Sequence, residues 1–225
     1  MTEDRDSQTV RIELETPDWQ FQSALTIPTA PMTIGDWLPF LRTLANKAAE
    51  ISEEKAQAAG KSISCKKGCG ACCRQLVAIS LAEARALSQL VEAMPEPRRS
   101  DIRARFSDAV RRAEKSGVLE REIEGATADN PDAVAAAREA LGRDYFRQQI
   151  ACPFLEAESC SIHAERPLVC REYLVTSPAP ICARLYREPV EPVPLNVHLG
   201  EALARATAKI YDIPNASIPL IFALQ

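Results

Sequence analysis

Four cysteines fall within nine residues in the stretch CKKGCGACC, which runs from Cys65 to Cys73. Cys65, Cys69 and Cys72 are separated by three and two residues, a spacing that lets thiolates on a tight loop converge on one metal ion. Two glycines in the same stretch allow the backbone to fold closely around such a centre, because glycine accepts conformations that other residues avoid. The residue types and their spacing therefore predict a metal site with sulfur ligands.

A second group of cysteines lies much further along the chain and consists of Cys152, Cys160 and Cys170. The intervening segment 74–151 is far longer than the roughly 12 to 20 residues that separate ligand pairs in a zinc finger or zinc ribbon. We expect this segment to be a helical insert that folds so that both cysteine groups meet, either at one cluster or at two neighbouring centres.

Basic residues flank the cysteines of both groups, namely Lys66, Lys67, Arg74, Arg166 and Arg171. Such cations lower thiol pKa values and so favour the thiolate that binds a metal. The alternative is that they form only a solvated rim. Pro167 is predicted to be the first residue of a short helix, which would place Cys170 in its first turn, where the helix dipole favours an anionic sulfur.

Three ligand assignments stay open. The side chains of adjacent Cys72 and Cys73 diverge, so one metal does not take both in ordinary geometry, which leaves one of the two for a second centre. His163 follows Cys160 by three residues, a usable ligand spacing, but a packed or hydrogen-bonded histidine is the more common case. Cys182 lies in a proline-rich segment, where it either completes a site or is simply buried.

The overall composition excludes several classes of protein. The chain has 225 residues, a formal charge of −4 and eight cysteines. This acidic balance argues against the broad basic surface that binds nucleic acid. The first residues lack a basic segment followed by an apolar one, and no stretch approaches the roughly 18 to 20 apolar residues of a membrane span. We expect a cytoplasmic protein with no nucleic-acid and no membrane partner, whose cysteines are thiols rather than disulfides.

The first part of the chain, residues 1–59, is predicted to form a β-hairpin and a helix. Apolar residues alternate on both sides of Pro17, as they do in two paired strands. Thr33 and Asp36 resemble a helix N-cap followed by an acid three residues on, and a helical apolar period continues over about 35–58.

The following elements are also mainly helical. Ser80 and Glu83 form a predicted capping box ahead of a helix, and the insert continues with helices around 102–110 and over about 131–149. The stretch 152–175 is predicted to hold two short extended pieces and a brief helix.

The predicted fold is therefore mainly α: a small helical domain with short β-hairpins, organised around a cysteine metal cluster. The cysteine-cluster domain covers 60–175 and includes the insert. Residues 176–225 follow as a proline-rich wrap, in which we expect no regular element over 176–195, and a C-terminal helix that packs on the same domain. The apolar stretch IPLIFALQ is expected to be buried.

Two stretches, CKKGCGACCRQLVAISLAEA and CPFLEAESCSIHAERPLVCREY, resemble the CxxCxxCC family of cysteine-cluster proteins, a zinc- or iron-chelating domain. The resemblance rests on the paired CC and on CPFL, C-x-I-H and RPLVCR, and it spans about residues 60–175. This chain has one more residue between Cys65 and Cys69 than the family pattern. The resemblance implies metal binding through Cys65, Cys69, Cys72, Cys73, Cys152, Cys160 and Cys170.

The leading functional hypothesis is a protein that chelates zinc or an iron–sulfur cluster such as [4Fe–4S], with a structural or redox role. An alternative follows from flagellin lysine N-methylases, whose cysteine cluster is similar: a subunit or catalyst in protein lysine N-methylation. The sequence shows no catalytic residue set and no glycine-rich nucleotide loop that we would assign. Radical S-adenosylmethionine enzymes share the C-x3-C-x2-C spacing but not the predicted helices. A third hypothesis treats the arginine-rich helix over 98–116 as a docking surface.

Overall fold

The computed structural model describes residues 6–16, 19–118, 131–213 and 217–225. About half of the chain is helical, with seven α-helices and three short antiparallel strand pairs among these residues. The prediction of a mainly helical fold with short hairpins is therefore confirmed. That the fold is organised around a metal cluster stays a prediction.

The N-terminal hairpin and helix form as predicted. Strands β1 (Ser7–Thr16) and β2 (Trp19–Pro28) pair antiparallel, and helix α1 (Leu38–Ala58) follows a 3-10 turn, Ile34–Trp37. Alternation puts the apolar side chains of β2 on one face, and that face packs on α1 because both would otherwise be exposed to water. The buried residues of this hairpin core are Phe21, Leu25, Ile27, Leu44 and Ala48.

Three helices make up the insert: α2 (Leu81–Glu92), α3 (Arg98–Lys115) and α4 (Pro131–Arg147). The predicted capping box at Ser80 is present and begins α2, which follows the short strand β3, Ala78–Ser80. Residues 119–130 of the insert, between α3 and α4, lie outside the described residues.

Two cysteines of the second group lie on a tight hairpin and a short helix, and Cys152 precedes the hairpin. Strands β4 (Leu155–Glu156) and β5 (Ser159–Cys160) pair through a two-residue turn, as predicted, and helix α5 covers Leu168–Glu172. The prediction that Pro167 is the first helical residue was wrong by one position. Its backbone is extended, with ψ 158, so it caps the helix from outside, and Cys170 still lies in the first turn.

The C-terminal part differs from its prediction in one respect. The segment 176–195, expected to lack regular structure, contains the one-turn helix α6 (Ala179–Cys182), because a proline is tolerated at the start of a helix. Helix α7 (Leu199–Tyr211) follows. Strand β6 (Ser217–Pro219) then pairs with β3, and the apolar chain end is buried as predicted.

The main core lies between α2, α3, the β4–β5 hairpin and the chain end. Phe106 of α3 meets Phe154 edge to face, with ring centroids 5.3 Å apart. Cys152 and Cys160 pack against the side of this core. The core therefore fixes the hairpin that carries Cys160 and the segment just before it that carries Cys152. Within the described part of the chain, none of the helices combines the length and the apolar character needed to cross a membrane.

Candidate metal centre

Cysteines from the two distant groups line one cavity of about 270 Å³. Its apolar walls include Val77, Phe154, Ile162 and Leu220. The predicted ligands on its wall are Cys69, Cys72, Cys73, Cys152, Cys160 and Cys170. The structure thus brings six of the seven predicted ligands together, and the seventh, Cys65, is not part of the cavity wall. No disulfide joins any of the eight cysteines.

The first cysteine loop is shaped by two turns and one long-range contact. The N–H of Cys69 donates to the carbonyl of Lys66 at 3.0 Å, and the N–H of Cys73 donates to that of Gly70 at 3.0 Å. The N–H of Cys152 donates to the carbonyl of Cys73 at 2.7 Å. This last hydrogen bond joins the two cysteine groups directly through the backbone.

Gly70 lets the β4–β5 hairpin approach the cysteine loop. A Cβ atom at this position would lie 2.6 Å from Cδ1 of Leu155 and 2.9 Å from the carbonyl oxygen of Glu158. The carboxylate of Glu158 also forms a two-point ion pair with Arg74, with N–O distances of 3.0 and 2.6 Å. Close backbone contact and this charged pair therefore hold the hairpin against the loop.

Two arginines of α3 hold the other side of the same hairpin. Arg98 and Arg105 contact the carboxylate of Glu156, at 3.4 and 3.0 Å. The sequence suggested a docking surface on α3. In the structure these two arginines contact this chain's own hairpin, and the docking hypothesis stays a prediction.

Helix α5, which carries Cys170, is fixed by a buried carboxylate. Glu83 is only 2% exposed, and its Oε1 accepts from the N–H of Leu168 at 2.8 Å. Its Oε2 accepts from the N–H and hydroxyl of Ser80 at 3.0 and 2.9 Å. One side chain thus links the first residues of α2 to those of α5. The capping box was predictable, but the bond to Leu168 joins residues 85 positions apart and has no local sequence signal.

Arg171 was predicted to flank the thiols as a cation, but the structure shows it in a different role. Its guanidinium is buried and donates to Oδ1 of Asn46 at 2.8 Å and to the carbonyl of Arg166 at 3.1 Å. It also donates to the carbonyl of Ala164. Arg171 therefore holds the loop after Cys160 against α1, because a fork of donors can satisfy several carbonyls at once.

Burial keeps most of the thiols protonated. It raises the pKa of Cys152 to about 12 and that of Cys170 well above the ordinary thiol value. Cys72 is the exception, because it accepts a hydrogen bond from Cys73, which lowers the Cys72 pKa to about 7 and raises that of Cys73. A metal ion that binds here must displace these protons, since the thiolate is the ligand.

The residues present fit a thiolate-bound metal. Sulfur ligands suit zinc and iron. Arg166 lines the cavity, and its buried Nε–H has no hydrogen-bond partner among the described residues. Such a donor is suited to a sulfur anion. Burial raises the pKa of Cys160, and the charge of Arg166 opposes this rise and also favours the thiolate of Cys72. In the described residues, no three His, Cys, Asp or Glu side chains already stand in metal-binding geometry, so the thiols must turn toward an ion to bind it.

Two of the three open assignments concern His163 and Cys182, which lie in different places. His163 lines the cavity, and burial followed by the charge of Arg166 lowers its pKa, so its imidazole is neutral at pH 7. Cys182 is buried at the end of α6, outside the cavity wall, yet close enough to Cys69 and Cys72 for their charges to raise its pKa. The sequence left open whether Cys182 completes a metal site or is simply buried.

The cysteine arrangement agrees with a comparison against protein families. The model of the CxxCxxCC family, described as a "putative zinc- or iron-chelating domain", matches residues 64–185. The chain belongs to this family. The expected resemblance is therefore confirmed, and the CxxCxxCC match extends past residue 175 to include Cys182. No curated protein and no solved structure matched the chain.

Proposed function

We propose that this protein chelates zinc or an iron–sulfur cluster through the cavity thiolates and serves a structural or redox role in the cytoplasm. The observation that carries the proposal is the meeting of six cysteines, from segments about eighty residues apart, on the wall of one cavity. Membership of a family described as zinc- or iron-chelating supports the same conclusion. Eight free thiols suit a reducing compartment.

A structural role follows from which segments the thiolates would join. The loop with Cys69 and the hairpin with Cys160 come from opposite ends of the insert. A metal bound to both would close a long loop, and a structural zinc ion stabilises small domains by about 10 kcal/mol or more. A redox role requires iron, because zinc has no accessible second oxidation state. Lysine methylation gains no specific support from the described residues, so we do not propose it.

The test is a metal analysis of protein purified without oxygen. Iron, zinc and acid-labile sulfide are measured together with the visible absorption spectrum. About four irons and four sulfides per chain with visible absorption would establish a [4Fe–4S] cluster and favour a redox role, whereas zinc in a colourless sample would favour the structural role. A chain that retains no metal after purification and reconstitution would refute the proposal.

Two variants assign the ligands. Cys69→Ser and Cys160→Ser remove one thiolate from each group, and both should lose metal and melt at a lower temperature. Ala113→Ser places the same hydroxyl at a fully buried position that does not line the cavity, and it should keep its metal. Unchanged metal content in both cysteine variants would contradict the assignment.

A further inference from the structure

An outer group of thiols lies at one side of the cavity. Cys65 and Cys182 are not part of the cavity wall, and they are near enough for the charge of Cys182 to raise the pKa of Cys65. Cys69 and Cys72 act on both of them in the same way, although these two also face the cavity. Cys65 and Cys182 therefore both lie near Cys69 and Cys72.

Backbone packing holds this outer group together. Helix α6, which ends at Cys182, packs against the turn Ala71–Arg74 of the cysteine loop. The N–H of Ser64 donates to the carbonyl of Val175 at 2.9 Å, which places Cys65 beside the segment that leads into α6. Both ends of the outer group are thus tied to the same part of the fold.

A second, inner group consists of Cys73, Cys152, Cys160 and Cys170, which are held together by separate contacts. The N–H of Cys152 donates to the carbonyl of Cys73 at 2.7 Å, and Cys160 pairs across the hairpin with Leu155. The charges of Cys152 and Cys160 both act on Cys170, which approaches from α5. This group lies wholly on the cavity wall.

The adjacent residues Cys72 and Cys73 belong to different groups, Cys72 to the outer one and Cys73 to the inner one. Cys72 interacts with sulfurs of both, but its two-residue separation from Cys69 is the spacing of ligands that share one ion. Cys73 is joined through its own carbonyl to Cys152. The thiol of Cys73 donates to the sulfur of Cys72, so the two side chains would turn away from each other for each to bind at a different centre.

We propose that the eight cysteines form two metal sites of four thiolates each. The outer site consists of Cys65, Cys69, Cys72 and Cys182, and the inner site consists of Cys73, Cys152, Cys160 and Cys170. Each would take a divalent cation such as Zn²⁺, whose tetrahedral preference four thiolates complete. The inference rests on the proposed metal binding and adds Cys182 as a ligand.

The test uses the full chain, reduced, freed of metal and reconstituted with Zn²⁺ alone, with zinc counted by native mass spectrometry and elemental analysis. The wild type should hold about two zinc ions, and Cys182→Ser and Cys160→Ser about one each. A wild type with one zinc, or a Cys182→Ser variant that keeps two, would overturn the two-site inference but leave metal binding intact. A wild type with none would overturn the two-site inference together with the zinc form of the proposed function, and would leave an iron–sulfur cluster to the metal analysis described above.

Alkylation of the zinc-loaded variants by iodoacetamide, mapped by mass spectrometry, tests the division itself. Loss of Cys182 should make Cys65 and Cys69 reactive while Cys152 and Cys170 stay protected, and loss of Cys160 should do the reverse. Equal reactivity of all remaining cysteines in both variants would refute two separate sites. Cys65→Ser, at a less buried position of the outer site, should repeat the Cys182→Ser pattern if Cys182→Ser fails to fold.

Discussion

Arg166 illustrates how single residues prepare the cavity for anionic sulfur. Its Nε–H is buried without a hydrogen-bond partner among the described residues, and its charge favours the thiolates of Cys72, Cys160 and Cys170. A buried donor without a partner costs free energy in the metal-free protein. A thiolate bound to a metal ion would accept from this donor and recover that free energy.

We therefore expect Arg166→Gln to weaken metal binding by about 10- to 100-fold, the range typical of groups that support ligands without binding the ion. Competition with a chelator of known affinity measures the change. Arg205→Gln, on the exposed face of α7, removes the same charge away from the cavity and should bind metal like the wild type. Equal affinities for the two variants would show that Arg166 has no such role.

The thiol pKa values predict opposite pH dependences with and without metal. In the metal-free protein the unfolded chain releases a thiol proton from its ordinary pKa of 9.0, whereas folded Cys152 keeps its proton up to about 12. The folded state thus binds more protons in this window, so the free energy of unfolding should fall as the pH rises from about 9 to 12. Cys72 acts in the opposite sense, but only below pH 9, because its folded pKa is about 7.

Denaturant unfolding under reducing conditions, repeated across this pH window, gives the slope of the free energy of unfolding against pH. The Cys152→Ala variant should show a shallower slope than the wild type. The metal-loaded protein should instead lose stability on acidification, because protons compete with the metal for thiolates. If the metal-free wild type and Cys152→Ala showed the same slope, the assignment of this pH dependence to Cys152 would be contradicted.

At the scale of elements, the sequence pattern predicted the features that depend on interactions between nearby residues. The apolar periods and the capping residues Thr33 and Ser80 gave the helices and their beginnings, because these signals lie within one or two turns. The contacts that arrange the elements were not predictable. The bond from Leu168 to Glu83 and the pair between Arg74 and Glu158 join residues more than eighty positions apart, and no sequence period encodes them.

Glu83 supports the candidate site through element packing. Glu83→Ala should destabilise the protein by about 2 to 3 kcal/mol, since it leaves the N–H groups of Ser80 and Leu168 without their charged acceptor. Glu83→Gln should cost less, because its amide oxygen can still accept one of these bonds. Glu201→Ala, at an exposed carboxylate of α7, is the control and should lie within about 0.5 kcal/mol of the wild type. Chemical denaturation gives the ranking, and an equal loss for the Glu201 and Glu83 variants would contradict it.

Gly70 sets the distance between the cysteine loop and the β4–β5 hairpin. Gly70→Ala should push the two apart, destabilise the protein by about 1 to 3 kcal/mol and lower metal affinity, because the new Cβ meets both a side chain and a backbone oxygen. Gly35→Ala meets only an ordinary contact, 3.7 Å from the Thr33 hydroxyl, and should leave metal affinity unchanged. Melting curves and chelator competition on both variants measure these effects; equal metal affinities would show that the close approach at Gly70 is dispensable.

At the scale of the whole molecule, the cysteines and the N-terminal hairpin depend on different cores. The cavity shares Phe154, Ile162 and Leu220 with the main core. As far as the chain is described, the hairpin core around Phe21 and Leu44 contains no residue of the cavity wall. Loss of metal should therefore destabilise the segments around the cavity more than the hairpin core.

Hydrogen exchange followed by mass spectrometry can resolve this difference between metal-loaded and chelated protein. Amides in 65–76 and 150–170 should lose protection by at least about 10-fold, equivalent to 1.4 kcal/mol, because these segments would be linked through the ion. Amides in β1, β2 and the middle of α1 should change little, since apolar burial holds them independently of the thiolates. Equal loss of protection in both regions would mean that metal and hairpin belong to one cooperative unit, and unchanged exchange everywhere would mean that the bound metal has no structural role.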